Sequence, residues 1–471
     1  MTGVQRWTLA VVCAATAILM LDIAVVNTAL PSIGAELHAG IGGLQWVVNA
    51  YTLALAAVVL TAGSLADRFG RRRVFCAGLV VFTLASAVCA AAGSIDVLVA
   101  ARAVQGLGAA LLFATSLALL ADAFPDARER TQALAAYGAT IGASFAIGPA
   151  VGGALTSALD WRWVFVVNVP IGLAVLAATV HAVRESRDPR APRVDVPGLV
   201  TLTAGLFLLV LGLLRGNEAG WGSAGVVGAL AGAAVLLAVF VAVQARSSHP
   251  MLPLGLLRSR AFTGAQLTAF AISGSFFAVY LYLSLYLQSV LGLSALEAGL
   301  AFVPSTLVMV IVSGATAQLG QRVHPGVLIS GGLLLVAVGM AMMTLAQADS
   351  SWTVLLPGVT VALIGTGMFN PSVSAVALGS VPAEQSGLAA GVNDTFRQAG
   401  IAVGVAALGA LVPAGDLLSG GSAVEYVDGM HVALLAGAGL AAAGAIAGAL
   451  LIRPRRSAQP LAGPQPVLQA D

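Results

Sequence analysis

The chain contains no lysine: all 22 of its Lys+Arg residues are arginine. Charged residues of either sign make up only 9% of 471 positions, far below the roughly 25% of a soluble domain. So few charges cannot cover a water-exposed surface of this length. With 59% hydrophobic residues and a mean hydropathy of +0.96, the chain reads as a polytopic membrane protein. The net charge is only +2, which gives no electrostatic footprint for a nucleic-acid partner. Cysteine is scarce too: Cys13, Cys76 and Cys89 lie in or beside apolar runs without metal-ligand spacing, so they read as small hydrophobes and no metal site is expected. Neither a Gly-x-Ser-x-Gly elbow nor a Gly-x-x-x-x-Gly-Lys phosphate loop is present, which argues against a membrane hydrolase and against ATP-driven transport. The first apolar run exceeds a signal-peptide core in length and lacks a small-residue cleavage site, so it reads as a retained span.

What is abundant is long apolar runs. A helix crosses the hydrocarbon core in about 20 residues, and about fourteen runs qualify: 7–30, 44–64, 74–93, 98–121, 132–156, 162–182, 197–214, 222–244, 262–290, 297–319, 327–347, 353–378, 394–414 and 429–452. With the N-terminus inside, Arg68, Arg71–Arg73, Arg128, Arg130, Arg184, Arg187, Arg190, Arg193, Arg246, Arg258, Arg260, Arg322, Arg453, Arg455 and Arg456 fall on the cytoplasmic side. Only Arg162 and Arg215 face outward, so the positive-inside rule places both termini in the cytoplasm and the protein in the cell membrane.

The runs divide into a six-helix half (1–182), a linker with an inserted hairpin (183–261, spans at 197–244) and a second six-helix half (262–452). A polar tail at 453–471 is expected to be disordered. Gly106-Leu107-Gly108 on the fourth span matches Gly365-Thr366-Gly367 on the twelfth, and Gly63–Val74 matches Gly314–Val323 with one gap. Parallel repeats of this kind mark transporters with a midplane site between halves. The repeat breaks where chemistry would sit. Val361 answers Arg102, Val405 answers Pro149, Gln318 answers Asp67, and no acid in the ninth span answers Asp22. The proton machinery is therefore expected in the first half.

Four motifs carry that expectation. Leu21-Asp22 to Leu30-Pro31 places an ionisable group at membrane depth, costly unless functional. Arg102-Ala103-Val104-Gln105-Gly106-Leu107-Gly108 places a guanidinium and an amide on one face of the fourth span. At 1.5 Å per residue Asp22 lies roughly 12 Å and Arg102 roughly 7 Å below the outer helix ends, so the two can meet if their helices are neighbours. Burial disfavours an ionised carboxyl and a nearby guanidinium favours it, so a pocket that opens and closes around such a pair lets it exchange a proton. Gly63-Ser64-Leu65-Ala66-Asp67-Arg68-Phe69-Gly70-Arg71-Arg72-Arg73 fills the first cytoplasmic loop, where Asp67 suits a helix N-terminus and the arginines can pair with Asp122, Glu129 or anionic lipid. On the fifth span, Gly142, Gly148, Pro149, Gly152 and Gly153 combine a kink with a flat face for a sliding neighbour.

A substrate pocket is expected from aromatic and amide groups: Asn27, Gln45, Trp46, Asn49 and Tyr51 on the first two spans, Gln105 on the fourth, and Phe276, Phe277, Tyr280 and Gln288 on the ninth. Asn370, before Pro371, would sit at a kink near the same cavity. Interfacial packing explains many such aromatics equally well. The five histidines fall at span ends or loops.

The four motifs, in this order, resemble the major facilitator superfamily, and specifically its fourteen-helix drug:proton antiporter branch (EmrB/QacA-type). Trp161-Arg162-Trp163-Val164-Phe165-Val166-Val167-Asn168-Val169-Pro170 and the inserted hairpin also look like that branch. The resemblance implies an all-α fold of two six-helix pseudo-repeat bundles. It implies a proton-coupled exporter of lipophilic, often cationic compounds, with no cofactor beyond the proton gradient. By the same resemblance Asp22 and Arg102 are the coupling residues, Gly63–Arg73 is a gating loop and the Gly-Pro-Gly-Gly run is an antiporter signature. A dedicated natural-product exporter and an uptake symporter remain the alternatives, and a monomer is expected. Asp394 reads as lying at the cytoplasmic entrance of the thirteenth span, beside Arg397, which speaks against efficient export of divalent cations.

Overall fold

Helix signals at the sequence level decide where each span begins. In the computed structural model, which describes residues 1–187, 194–320, 322–382, 385–412 and 422–453, Thr2 and Gln5 cap the first helix reciprocally, as Ser294 and Glu297 cap the tenth. The tail expected to be disordered lies, from residue 454 on, outside the described residues.

Fourteen helical spans result among the described residues. They are α1 (Gly3–Leu37), α2 (Ile41–Phe69), α3 (Arg71–Ala90), α4 (Ile95–Ala123), α5 (Ala127–Ala158) and α6 (Trp163–Ala182, interrupted at Val167). The hairpin is α7 (Val196–Ala219) and α8 (Ala224–Arg246). The second half holds α9 (Arg260–Val290), α10 (Ala295–Leu319), α11 (Pro325–Met343), α12 (Leu355–Gly379), α13 (Ser386–Gly409) and α14 (Ala423–Leu451). Thirteen are apolar enough to cross a membrane by composition alone; α13 is the exception.

Within the first half α4 lies between α2 and α3, and α1 packs on α5. In the second half α12 lies between α10 and α11, and α14 packs on α9 and α11. Glycines set these approaches: a Cβ on Gly108 would strike the backbone of Phe82 on α3, and one on Gly365 would strike α11 at Gly332 and Val336. Gly106 instead faces α2, and Gly367 faces α10. By the helix each one faces, Gly108 answers Gly365 and Gly106 answers Gly367, the reverse of the match made by letter.

The halves meet along two seams, α2 against α13 and α5 against α10. Hydrogen bonds between the halves concentrate at the outer ends. Gln45 donates to the Tyr282 hydroxyl (2.7 Å), Gln288 to the Thr28 carbonyl (2.9 Å), and Leu296 N–H to the Ser157 hydroxyl (2.9 Å). Among the described residues the hairpin lies on one seam: α7 touches both α2 and α13, and Asn217 donates to the Ala410 carbonyl at 2.7 Å.

The structure revises two placements. α1 runs on to Leu37, so Asp22 is about 22 Å from its outer end, near the middle of the helix. α13 begins at Ser386, eight residues before the expected start, so Asp394 lies two turns inside the helix and is only 6% exposed. Asn393, Asp394, Thr395 and Gln398 are interior residues of this helix, whose polarity reads by hydropathy as the entrance of the span.

Candidate functional site

α1 carries Asp22 into the centre of the first half, where α4 and α6 close on it. The side chain is 1% exposed. Its Oδ2 is paired with Arg102 Nη1, while Oδ1 accepts from Gln105 Nε2 at 2.8 Å and from Asn168 Nδ2 at 3.1 Å. Arg102 is equally buried. It donates to Gln105 Oε1 (2.6 Å) and through Nε to the Val47 carbonyl (3.2 Å), and its guanidinium lies 4.2 Å from the centre of the Tyr51 ring. Phe165 covers it at 5.9 Å. Gln105 in turn donates to the Ser86 hydroxyl at 2.8 Å.

Both charges are thus paired, hydrogen-bonded and sealed from water, the only arrangement in which two ions persist at this depth. Spacing makes it possible: Arg102 and Gln105, three residues apart on α4, share the face that meets α1 and α2. Asn168 and Ser86 complete the site and were not singled out by sequence reasoning; each is a lone polar residue in an apolar run, which is the signal that marks it.

Two glycines let α5 lie directly behind the acid. A Cβ on Gly148 would strike Ala24, and one on Gly152 would meet Val25 at 2.9 Å, two and three residues past Asp22. The adjoining face of α5 meets the other half: Gly153 abuts Ala295 and Leu296, and the Pro149 carbonyl abuts Gly299 on α10. α5 is a wedge between the helix that carries Asp22 and the second half. Gly142 has open space around it.

In the loop between α2 and α3, Gly70 takes φ +108°, the left-handed region, and turns the chain sharply. Asp67 accepts from Arg71 (2.9 Å), and Arg71 also faces Asp122 at 3.7 Å. Glu185, beyond α6, gathers Arg72 N–H (3.1 Å) and the Arg73 guanidinium (3.7 Å), a partner that sequence reasoning did not name. Glu129 is engaged elsewhere, accepting from Gln5 at 2.9 Å. Arg68 is exposed, and Gly63 has open space beside it. Among the described residues these ion pairs all stay within the first half and its exit segment.

The candidate pocket residues scatter. Tyr51 and Gln105 belong to the charge cluster, and Asn49 on α2 is buried with neither side-chain polar atom hydrogen-bonded. Gln45 and Gln288 tie the outer seam. Trp46 turns to the hairpin, 5.7 Å from Phe207. Asn27 is held by its own helix through the Ile23 carbonyl. Phe277 meets Phe145 of the first half at 5.2 Å and Phe276 at 6.0 Å, and Tyr280 packs on Phe302 at 4.8 Å. Asn370 is half-buried with an unpartnered carbonyl oxygen. No group of three or more potential metal ligands occurs among the described residues.

Comparison with known proteins follows the same lines. The cephamycin export protein CmcT of Amycolatopsis lactamdurans is 40% identical over 413 residues, spanning 86% of this chain and 85% of that protein. The multidrug resistance protein Stp of Mycobacterium tuberculosis is 38% identical over 399 residues, 84% of this chain and 74% of that one. The solved structure of the human organic anion transporter MFSD10 shares the fold, with a TM-score of 0.64 at 19% identity over 94% of this chain and 99% of the other. The family model described as Major Facilitator Superfamily matches residues 12–405. The chain is a multi-span membrane protein that belongs to the major facilitator superfamily.

Proposed function

We propose that the chain is a proton-coupled exporter of small lipophilic molecules, working by alternating access in the cell membrane with both termini in the cytoplasm. The observation that carries this reading is the sealed Asp22–Arg102–Gln105–Asn168 cluster with α5 wedged between it and the second half. Loading or releasing a proton at Asp22 changes what Arg102 can hold. That changes the packing of α1 against α5, and α5 passes the change to α10. The protein needs no cofactor, works as a monomer and draws its energy from the proton gradient. Two relatives bearing export and resistance names support the outward direction.

One of those names carries a single antibiotic and the other a range of drugs. A dedicated self-resistance exporter is therefore the second reading, and it shares the same machinery.

The test is reconstitution of the full chain in liposomes of determined orientation, with a pH-sensitive dye in the lumen, an imposed proton gradient and a panel of lipophilic compounds. Substrate-dependent proton flux opposed to substrate flux, abolished in Asp22→Asn, is expected. Active export retained by Asp22→Asn would remove Asp22 from the coupling site.

A further inference from the structure

Three tyrosines stand on α9, at 280, 282 and 286. Two are tied by their hydroxyls: Tyr282 donates to the Val405 carbonyl at 2.5 Å and Tyr286 to the Gln347 carbonyl at 2.6 Å. The Tyr280 hydroxyl is sealed from water and bonds to nothing among the described residues. A buried hydroxyl without a partner is costly and uncommon, and it calls for an explanation.

Its surroundings are aromatic. The Tyr280 ring packs on Phe302 of α10 at 4.8 Å, tilted by 41°. Three residues back on α9, and so on a neighbouring part of its surface, Phe277 meets Phe145 of α5 edge-on at 5.2 Å. Phe276 braces Phe277 at 6.0 Å. Rings from both halves therefore gather beside the α5–α10 seam. Phe302 is 5% exposed, whereas Phe145, Phe277 and Tyr280 are only half-buried, so protein does not cover their faces completely. A π turn over Ser273–Phe277 leads into the cluster, a helix form found mostly as single turns and frequently at functional sites. By helix rise Phe302 lies about 10 Å and Tyr280 about 15 Å inward of the outer ends of their helices. No charged group among the described residues stands beside Tyr280.

We propose that Phe145, Phe277, Tyr280 and Phe302 form the subsite for an uncharged, planar aromatic part of the exported molecule, with the Tyr280 hydroxyl donating one hydrogen bond to a carbonyl oxygen on it. The proposal deepens the exporter reading and rests on it. A cation held here would lose its water without meeting a carboxylate, and ring faces return only part of that loss. A neutral ring system avoids the loss and gains from offset and edge contacts with the four side chains. An oxygen acceptor on that ring system also satisfies the one polar group the protein leaves unpaired there. The Gln45–Tyr282 bond, two residues further out on α9, closes the halves above the subsite, so cargo seated on the rings lies directly beneath the outer seal.

The experiment uses purified full chain and three probes of similar three-ring shape. These are 9-fluorenone, which carries one carbonyl; fluorene, which lacks it; and N-methylacridinium, a permanent cation. Equilibrium binding of each radiolabelled probe is measured up to its solubility limit, with micelle partition subtracted, for the wild type, Tyr280→Phe and Phe145→Leu. Thermal unfolding confirms the fold of each variant. The wild type should bind 9-fluorenone about tenfold more tightly than fluorene, and N-methylacridinium more weakly than 9-fluorenone. Tyr280→Phe should lose the tenfold preference by weakening 9-fluorenone alone, and Phe145→Leu should weaken both neutral probes several-fold while keeping the preference. A preference retained in folded Tyr280→Phe would overturn the proposal. So would equal wild-type binding of the two neutral probes, tighter binding of the cation, or no binding of 9-fluorenone at all. Binding requires no gradient. Binding as expected without proton-linked flux in liposomes would sink the export reading alone, whereas export of 9-fluorenone with its preference over fluorene unaltered in Tyr280→Phe would sink this subsite alone.

Discussion

Removing one member of the Asp22–Arg102 pair should be far more damaging than removing both. Arg102→Met keeps the volume of the side chain but leaves the Asp22 carboxylate with two neutral donors, Gln105 and Asn168, at 1% exposure. Breaking a buried pair in this way costs about 3–5 kcal/mol. Asp22→Asn strands the guanidinium instead, held by the Val47 carbonyl, Gln105 and the Tyr51 face, at a similar cost of about 3–5 kcal/mol. In the double variant neither charge remains, and replacing a buried ion pair by neutral groups is often close to neutral. The coupling energy should therefore be about 3 kcal/mol or more, a large departure from additivity. Thermal unfolding in detergent reads it out. At roughly 2 °C per kcal/mol for a large chain, each single variant should lose about 6–10 °C and the double variant should return to within a few degrees of the wild type. Proton-driven transport should be absent from all three, the stable double variant included. Losses in the double variant equal to the sum of the single losses would refute the idea that two ions hold each other in place here.

The other variants probe the wedge and the loop. Gly148→Ala places a methyl against Ala24 beside the acid and should abolish transport, whereas Gly142→Ala enters open space and should transport like the wild type; equal effects in a flux assay would remove the close α1–α5 approach from the mechanism. Asp67→Asn breaks the half-exposed contact with Arg71, worth about 1 kcal/mol or less, and should slow turnover several-fold while leaving substrate affinity unchanged; an unaltered rate would reduce the loop to a topology signal.

The Asp22–Arg102 pair was legible because charge at membrane depth is rare and conspicuous: both residues stand out of apolar runs, and helix rise alone brings them within reach of each other. The Gly-Pro-Gly-Gly face of α5 was legible for a similar reason, since small residues in register mark a close approach. Asp394 was misplaced because hydropathy averages over a helix and cannot separate a polar interior face from a helix entrance. α13 is buried against α2 and α9, so its polar residues never meet lipid. Glu185 was missed because it lies 113 residues from Arg72, and only the fold brings the two together. Trp46 shows the opposite limit, since its side chain faces the hairpin rather than the centre, and the choice depends on helix rotation, which aromatic content does not encode.

The hairpin's position on one seam also bears on how cargo reaches the protein. α7 bridges α2 and α13 and shields that junction from the surrounding bilayer, while the α5–α10 junction has no such cover among the described residues. The two flanks of the molecule are therefore unequal towards the lipid. A compound that partitions into the membrane meets a bare boundary between halves on one flank only. That boundary is formed by the same α5 that backs Asp22, so in the proposed exporter the lateral opening and the buried acid share one helix.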